Sequence, residues 1–264
     1  MSSPAKGQNT LPKAPIRWSV ASACKACADA STIRGYKIEI LSPDAVGDWD
    51  KVATLFEKVF AAGEPVSRAL YESKTVSSST FRDFCRSVTK ATAAHGTTVV
   101  AKSGDGSIIG FVMAAPSEVN TFPEPAPPGL EAMYALVDVL KQRLGKHQLN
   151  GPVLEYTMGG VDRNFVNGHI AADLIWVLTL DGYLKGFRTA MTVASSYGSQ
   201  IGHKGNGFVT LEELPYKSFE HNGTKPLAHI VKPPSAKVMV GDIDTYLRER
   251  PDPASRRSIV RSRL

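Results

Sequence analysis

The sequence has 264 residues, of which 42% are hydrophobic and 21% charged, a composition typical of a globular protein with a sizeable core. No apolar run reaches the ~20 residues that a membrane-spanning helix needs, so we expect no membrane insertion. The formal net charge is +6. Much of the excess comes from arginines near the carboxyl terminus: Arg248, Arg250, Arg256, Arg257, Arg261 and Arg263. No aromatic residues alternate with them, which favours a solvated basic tail over residues 241–264 and no nucleic-acid binding.

The amino-terminal part of the sequence carries few signals. Residues 1–35 contain a single acidic residue, Asp29, and show no sustained hydrophobic period, so we expect a flexible N-terminal arm, with a targeting segment as the alternative. Cys24 and Cys27 form a CxxC pair, but no second pair stands at a zinc-ribbon spacing, so no metal site is expected. With Cys85 the chain has three cysteines, too few for a disulfide framework, which indicates a reducing compartment.

The first regular elements are predicted from residue 36 onward. Ile38 and Ile40 alternate with charged residues, which predicts a half-buried strand over residues 36–41. A helix follows, with Asp48 as its N-cap and Pro65 ending its register. Its apolar positions recur at helical spacing: Val52, Leu55, Phe56, Val59 and Phe60.

The middle of the chain predicts a helix, a hairpin and a crossover. Apolar residues on one face predict a helix over residues 80–94. Strands are predicted over residues 97–102 and 107–115, because the loop Ser103-Gly104-Asp105-Gly106 favours a tight turn between them. Five prolines between residues 116 and 129 then block regular structure and predict an exposed crossover.

The last part of the chain alternates helices with strands. Helices are predicted over residues 129–144, 170–184 and 199–205, and strands over residues 153–161 and 187–195, followed by two closing strands. This order predicts an α/β (α+β) domain over residues 36–240, with a mixed, mostly antiparallel central sheet flanked by helices. It lacks regular βαβ repeats and so disfavours a Rossmann domain.

A strand end followed by a helix start reads GGVDRNFVNGHIAADLI over residues 159–175. It resembles the acyl-CoA-binding segment of the GNAT superfamily of N-acyltransferases, in which a strand is followed by Q/R-x-x-G-x-G/A and a helix. Val166 stands where the family has Gln or Arg, His169 replaces the first Gly, and Ala171 satisfies the last position. Such a segment directs backbone N–H groups at a helix N-terminus toward the pyrophosphate of coenzyme A.

Two further blocks carry the same resemblance. Residues 59–70, VFAAGEPVSRAL, resemble the first helix and the Glu-Pro turn of the arylalkylamine N-acetyltransferase-like branch, and Gly207-Phe208 resembles the pair that ends a short helix in the family. The resemblance implies a GNAT fold with acetyl-CoA as co-substrate. The residues it implies for binding acetyl-CoA are Val161, Asn167, Gly168, His169, Ile170, Ala171 and Ser199.

Acyl transfer to an amine needs a base that neutralises the amine and an acid that protonates the departing thiolate. In the branch that this chain resembles, the glutamate of the Glu-Pro turn is the base, which implies Glu64; the alternative is a surface glutamate that caps a loop. Many GNAT members place a tyrosine acid where His203 stands here, and Tyr197 is the other candidate. Alternatively, His203 is exposed and Tyr197 packs in the core. A backbone N–H within residues 158–160 is expected to stabilise the oxyanion.

These features predict an N-acetyltransferase that moves an acetyl group from acetyl-CoA to a small-molecule primary amine by direct attack on the thioester. The alternatives are a catalytically inactive acyl-CoA-binding module and a GNAT enzyme that uses a larger acyl-CoA, for example in siderophore metabolism. The terminal tripeptide Ser262-Arg263-Leu264 is a close variant of the Ser-Lys-Leu peroxisomal address. It predicts recognition by the peroxisomal import receptor and residence in the peroxisome, the cytoplasm being the alternative.

Overall fold

The computed structural model describes residues 16–249, except for the side chains of residues 166–168. Its helices are α1 (Val20–Ala30), α2 (Val46–Gly63), α3 (Pro65–Glu72), α4 (Ser78–His95), α5 (Glu131–Leu144), α6 (Ile170–Leu184), α7 (Tyr197–Gly205) and α8 (Ile243–Glu249). Its strands are β1 (Lys37–Ile40), β2 (Thr97–Lys102), β3 (Ile108–Pro116), β4 (Val153–Val161), β5 (Thr189–Ala194), β6 (Val209–Pro215) and β7 (Ser235–Asp242). The strands form one sheet in the order β1-β2-β3-β4-β5-β7-β6.

The sheet is antiparallel except between β4 and β5, which run parallel at its centre. The mixed, mostly antiparallel sheet predicted from the sequence is therefore confirmed. The parallel pairing is short, since only residues 153–156 of β4 face residues 189–192 of β5. Beyond it, β4 remains paired with β3 as far as Val161, and β5 remains paired with β7 as far as Ala194. The two central strands therefore separate at their carboxyl ends.

A β-bulge marks the point where β4 leaves β5. Met113 pairs with Met158 and Ala114 with Tyr156, so Thr157 is an extra residue on β4. Its hydroxyl donates to the carbonyl oxygen of Met113 at 3.1 Å. Because a bulge bends its strand and increases the local twist, it accounts for the direction that β4 takes away from β5.

Each face of the sheet is covered by its own hydrophobic core. Helices α2, α3, α4 and α5 pack on one face, around side chains such as Phe56, Phe84 and Phe111. Helices α1, α6 and α8 pack on the other, where Trp176 is 1% exposed. Helix α6 can lie close to β3 because Gly110 has no side chain. A Cβ at this position would stand only 2.8 Å from Cγ2 of Ile170. A glycine at this position thus sets the depth of the helix on the sheet.

The expectation of a flexible arm over residues 1–35 is wrong for the stretch that forms α1. Ser19 caps this helix with a reciprocal side-chain and backbone pair, and Ala23 and Cys27 are fully buried against the sheet. The ring of Trp18 meets that of Trp176 edge to face, with 5.3 Å between the centroids. The small apolar residues of α1 gave too weak a period to predict the helix. Cys24 and Cys27 are free thiols.

The expected tail over residues 241–264 also begins with packed structure. Helix α8 buries Ile243 completely and leaves Tyr246 5% exposed. The remainder of the tail, including Ser262-Arg263-Leu264, and residues 1–15 of the arm lie outside the described residues.

Helix ends account for the other differences from the sequence-based assignment. Ala45 is the N-cap of α2, so Asp48 lies in the first turn and is not the cap. Pro65 does end the register of α2, but it also starts α3, because proline is well suited to a first helical turn.

Among residues 16–249, no helix combines the length and the apolar character that crossing a membrane requires.

Candidate active site

A cavity of about 660 Å³ occupies the opening between β4 and β5. On one face of the sheet its wall comes from α6 and α7, with Leu174 and His203 among the lining residues. On the other face the wall comes from α2, α5 and the start of α3, with Phe60, Glu64 and Leu136. The separation of the two strands therefore connects the two sides of the sheet, and one molecule could reach groups on both.

The open edge of β4 presents backbone N–H groups to this cavity. Asp162 donates its N–H to the carbonyl oxygen of Ile109 on β3, at 2.9 Å. Since alternate residues of a strand direct their amides to opposite edges, the N–H groups of Val161 and Gly159 point away from β3, toward the opening. The sequence-based expectation covered residues 158–160, and within it the geometry selects Gly159. Donors in this position suit an oxyanion that forms on a bound carbonyl group.

The N-terminus of α6 borders the same opening. The N–H of Asp173 donates to the carbonyl oxygen of His169 at 3.1 Å, which is the start of the helical hydrogen-bond pattern. By helix geometry, the N–H groups of Ile170, Ala171 and the residue after them have no acceptor within the helix. His169 is exposed and adopts a left-handed backbone with φ of 58°. The residue that replaces the family's first glycine thus has the backbone conformation that glycine favours.

The residues predicted to bind acetyl-CoA fall into three groups. Val161, Ala171 and Ser199 line the cavity. Ile170 is 1% exposed, so it can offer only its backbone N–H. His169 caps α6, and the two residues before it, Asn167 and Gly168, lie in a short 3₁₀ helix, Arg163–Gly168.

Two contacts hold this 3₁₀ helix against α2. Asp162 caps it by accepting from the N–H of Asn164 at 3.1 Å, and the Lys58 ammonium lies 2.6 Å from the Asp162 carboxylate. The hydrogen bond from Lys58 lowers the pKa of Asp162. Arg163 also donates to the carbonyl oxygen of Ala62 at the end of α2. The segment between β4 and α6 is therefore tied to the opposite side of the cavity.

Glu64 joins α2 to α3 and lines the cavity. Its Oε2 accepts from the N–H of Ser67 at 2.6 Å and its Oε1 from the N–H of Val66 at 3.2 Å. The capping role considered from the sequence is present, although the capped element is a helix and not a loop. Each carboxylate oxygen still has a lone pair for water or an amine. A capping role and a catalytic role are compatible in this geometry.

Tyr197 and His203 have environments opposite to those of the alternative considered from the sequence. Tyr197 is 62% exposed at the start of α7, whereas His203 is 8% exposed. The expectation of a packed tyrosine and an exposed histidine is wrong because α7 turns its His203 side toward the sheet, where the ring meets Phe208 edge to face at 4.9 Å. Both residues line the cavity.

His203 is poorly suited to protonate a thiolate. Its Nδ1 lies 2.8 Å from the carbonyl oxygen of Ser199, which can only accept, so Nδ1 carries the proton. Burial lowers the pKa of His203. The ring is therefore neutral at pH 7, and its Nε2, without a partner among the described residues, can only accept. This argues against His203 and leaves Tyr197, which also lines the cavity, as the remaining candidate acid.

Glu155 was not singled out from the sequence, although it is a charged residue in an otherwise apolar part of β4. It is 7% exposed, lines the cavity and lies 2.8 Å from the ammonium group of Lys141 on α5. Two cationic side chains, Arg163 and Lys232, also line the cavity, but both are exposed. No group of three or more His, Cys, Asp or Glu residues suited to a metal ion occurs in the described part of the chain.

Comparison with known proteins gives matches among solved structures only. No protein-family model matches the sequence, and no curated protein matches it. The C-terminal condensation domain of Ebony in complex with beta-alanyl-dopamine is 14% identical, with a TM-score of 0.65, over 80% of this chain and 100% of that one. A mosquito arylalkylamine N-acetyltransferase like 5b is 14% identical, with a TM-score of 0.62, over 78% of this chain and 99% of that one.

A third structure is polyamine N-acetyltransferase of Drosophila melanogaster, described as forming N-acetylagmatine. It is 16% identical, with a TM-score of 0.58, over 78% of this chain and 99% of that one. These likenesses cover nearly the whole of each compared chain. At such low identity they establish the fold alone, which this chain shares with the two N-acetyltransferases and with the Ebony domain.

Proposed function

We propose that this protein is an acetyl-CoA-dependent N-acetyltransferase that acts on a small-molecule primary amine. The observation that carries the proposal is the opening between β4 and β5, with the free N–H groups of Gly159 and Val161 along its edge. It lies between the N-terminus of α6 on one side and Glu64 on the other. Two of the similar structures are named as N-acetyltransferases of amines, which supports the same reaction class here.

The α6 side of the cavity suits the acyl donor. The N–H groups of Ile170 and Ala171 carry the partial positive charge of a helix N-terminus and would bind the pyrophosphate of coenzyme A. Val161 and Gly159 would hold the rest of the donor along the open edge of β4. From there the N–H of Gly159 would donate to the thioester carbonyl and stabilise the negative charge that develops on its oxygen.

The opposite side of the cavity suits the amine. Glu64 would accept the proton of the bound ammonium, directly or through a water molecule, and leave a neutral nucleophile. After the attack, Tyr197 would donate its phenolic proton to the departing thiolate, and the second proton lost by the attacking nitrogen would pass through water to restore the phenol. Tyr197 stands at the start of α7 and Glu64 at the start of α3, so separate elements hold the acid and the base.

The proposal is tested by measuring free thiol released from acetyl-CoA with a panel of primary amines and identifying the acetylated product by mass spectrometry. Wild type should show thiol release that depends on the amine. Glu64→Gln and Tyr197→Phe should each lower kcat by about 10²- to 10⁴-fold. Tyr183→Phe provides a control, because Tyr183 lies on α6 and does not line the cavity.

Binding of acetyl-CoA without turnover on any amine would contradict the proposal and favour an acyl-CoA-binding module. Turnover with longer acyl-CoA donors but not with acetyl-CoA would keep the acyl-transfer chemistry and replace the donor. If Tyr197→Phe retained full activity, the acid would have to be another group.

A further inference from the structure

The amine side of the cavity contains a second carboxylate, that of Glu155. Its side chain lies on the face of the sheet covered by α5, whereas the next residue, Tyr156, packs into the core of the other face. Glu155 therefore borders the half of the cavity that also contains Glu64, and not the half beneath α6. A carboxylate that is 7% exposed at this position needs a physical explanation, because burying a charge is costly unless partners compensate it.

Lys141 compensates only part of this charge. Its ammonium lies 2.8 Å from Oε2 of Glu155, and no described residue hydrogen-bonds to Oε1. The side chain of Lys141 is 38% exposed and that of Glu155 is 9% exposed. Glu155 lines the cavity and Lys141 does not, so the lysine reaches the pair from outside the cavity. One oxygen of a nearly buried carboxylate remains available to a ligand.

The surroundings favour a cationic ligand with an apolar body. The nearby wall from α5 and the crossover is apolar and includes Phe122, Met133, Leu136 and Val137. Such a wall excludes water and strengthens the attraction between opposite charges. The cavity's cationic side chains, Arg163 and Lys232, are exposed and so do not occupy this buried position.

We propose that Glu155 binds the ammonium group of the acceptor amine and positions it for Glu64, and that Lys141 limits the strength of this attraction. The inference rests on the proposed function and assigns separate roles to the two carboxylates. Glu155 holds the amine in its protonated form, and Glu64 accepts the proton before the attack. An uncompensated Glu155 would bind the ammonium more tightly but would also oppose its deprotonation. The Lys141 partner moderates both effects.

Binding measurements test this role without any acetyl transfer. The probes are benzylamine, which is protonated at neutral pH and has an apolar body, and benzyl alcohol, its neutral counterpart. Isothermal titration calorimetry should show that wild type binds benzylamine about 10-fold or more tightly than benzyl alcohol, as expected for a hydrogen bond to a charged group. Glu155→Gln should remove most of this preference, Glu155→Asp should keep more of it, and Lys141→Met should increase it.

Glu155→Gln and Lys141→Met are therefore expected to change the preference for benzylamine in opposite directions. An ion pair with only a structural role would not produce this result. An equal loss of both ligands in Glu155→Gln, or an unchanged preference, overturns the proposal. Because Lys141 is partly exposed, Lys141→Met provides a test even if Glu155→Gln fails to fold; no gain in benzylamine preference in that variant also overturns it.

Steady-state kinetics with an amine that the enzyme acetylates provide a second test of the role of Glu155. Glu155→Gln should raise KM for the amine about 10-fold or more and change kcat much less. Lys141→Met should lower KM and also lower kcat. A fall in kcat with unchanged KM in Glu155→Gln would assign Glu155 to proton transfer and overturn the positioning role. Absence of turnover in wild type would count against the proposed function, and the binding result would still decide the role of Glu155.

Discussion

The carboxylate of Glu64 accepts a hydrogen bond from the backbone N–H of Ser67, with 2.6 Å between Oε2 and the nitrogen. The same side chain therefore caps α3 and faces the cavity between β4 and β5. A substitution that removes the carboxylate affects both the stability of α3 and any proton transfer. Variants of Glu64 have to separate these two effects.

Glu64→Gln should lower kcat by about 10²- to 10⁴-fold and change the melting temperature little, since glutamine keeps an acceptor oxygen for the cap but cannot act as a base. Glu64→Ala should lose the cap as well, at a cost of about 1 kcal/mol of unfolding free energy. Steady-state kinetics and thermal unfolding measure the two quantities. Glu72→Gln is the control, because Glu72 on the same helix is exposed and paired with Arg68. Full activity of Glu64→Gln across the pH range would remove Glu64 as the base.

Burial of His203 should make stability depend on pH. Its pKa in the folded state lies below the ordinary value of 6.5, so the unfolded chain binds this proton more readily. The contribution of the neutral ring is fully present above pH 6.5 and is lost as pH falls from there through the folded-state pKa. Between pH 8 and about pH 5, wild type should lose more unfolding free energy than His203→Phe, by about 1.4 kcal/mol for each unit of pKa depression.

His203→Phe suits this comparison because a phenyl ring can keep the edge-to-face contact with Phe208. It also tests the catalytic assignment, since its kcat should stay within about tenfold of wild type if His203 donates no proton. If the unfolding free energies of wild type and His203→Phe changed with pH in parallel, His203 would not be responsible for the loss of stability in acid.

His169→Gly should stabilise the protein by about 1 kcal/mol, because glycine adopts the left-handed backbone of this position without the steric cost of a Cβ. It should also bind acetyl-CoA more tightly, since it removes the side chain of the residue that directly precedes the N–H groups of α6. His169→Ala separates the effects, as it removes the ring but keeps the Cβ. Chemical denaturation measures the unfolding free energy, and calorimetric titration measures the affinity for acetyl-CoA. Equal stability of the two variants would contradict the backbone argument, and weaker binding in both would give the imidazole a favourable contact with the ligand.

Gly160→Ala should destabilise the protein by about 1–3 kcal/mol, because the added Cβ would stand 2.5 Å from Cγ2 of Val59 on α2. The double variant Gly160→Ala/Val59→Ala should recover much of that loss through a favourable coupling energy. Gly159→Ala is the matched control, since its Cβ would meet its nearest atom, Cγ2 of Val112, at an ordinary 3.4 Å. If the two alanine variants were equally stable, α2 would not be packed against β4 as the structure has it.

The sequence predicted the sheet well because its strands have clear local patterns. The alternation around Ile38 and the turn Ser103-Gly104-Asp105-Gly106 were sufficient to define the first three strands. The helix of residues 20–30 was missed because its stability comes from contacts such as Trp18 against Trp176, which are far apart in the chain. Long-range packing of this kind leaves little local signal.

The candidate site was predicted where a motif marked it and missed where only tertiary structure defines it. Glu64 and Ala171 belong to segments with a recognisable pattern, and both line the cavity. Burial reversed the expected environments of Tyr197 and His203, since the rotation of a short helix is set by what it packs against. Glu155 acquires meaning only through its position beside the opening and its distance to Lys141.

A crystal structure of the protein with acetyl-CoA tests the central claim most directly. We expect the pyrophosphate at the N–H groups of Ile170 and Ala171, and the thioester between β4 and β5 with its carbonyl oxygen within hydrogen-bonding distance of the Gly159 N–H. A cofactor bound outside this opening, or a thioester carbonyl directed away from the edge of β4, would contradict the proposed site.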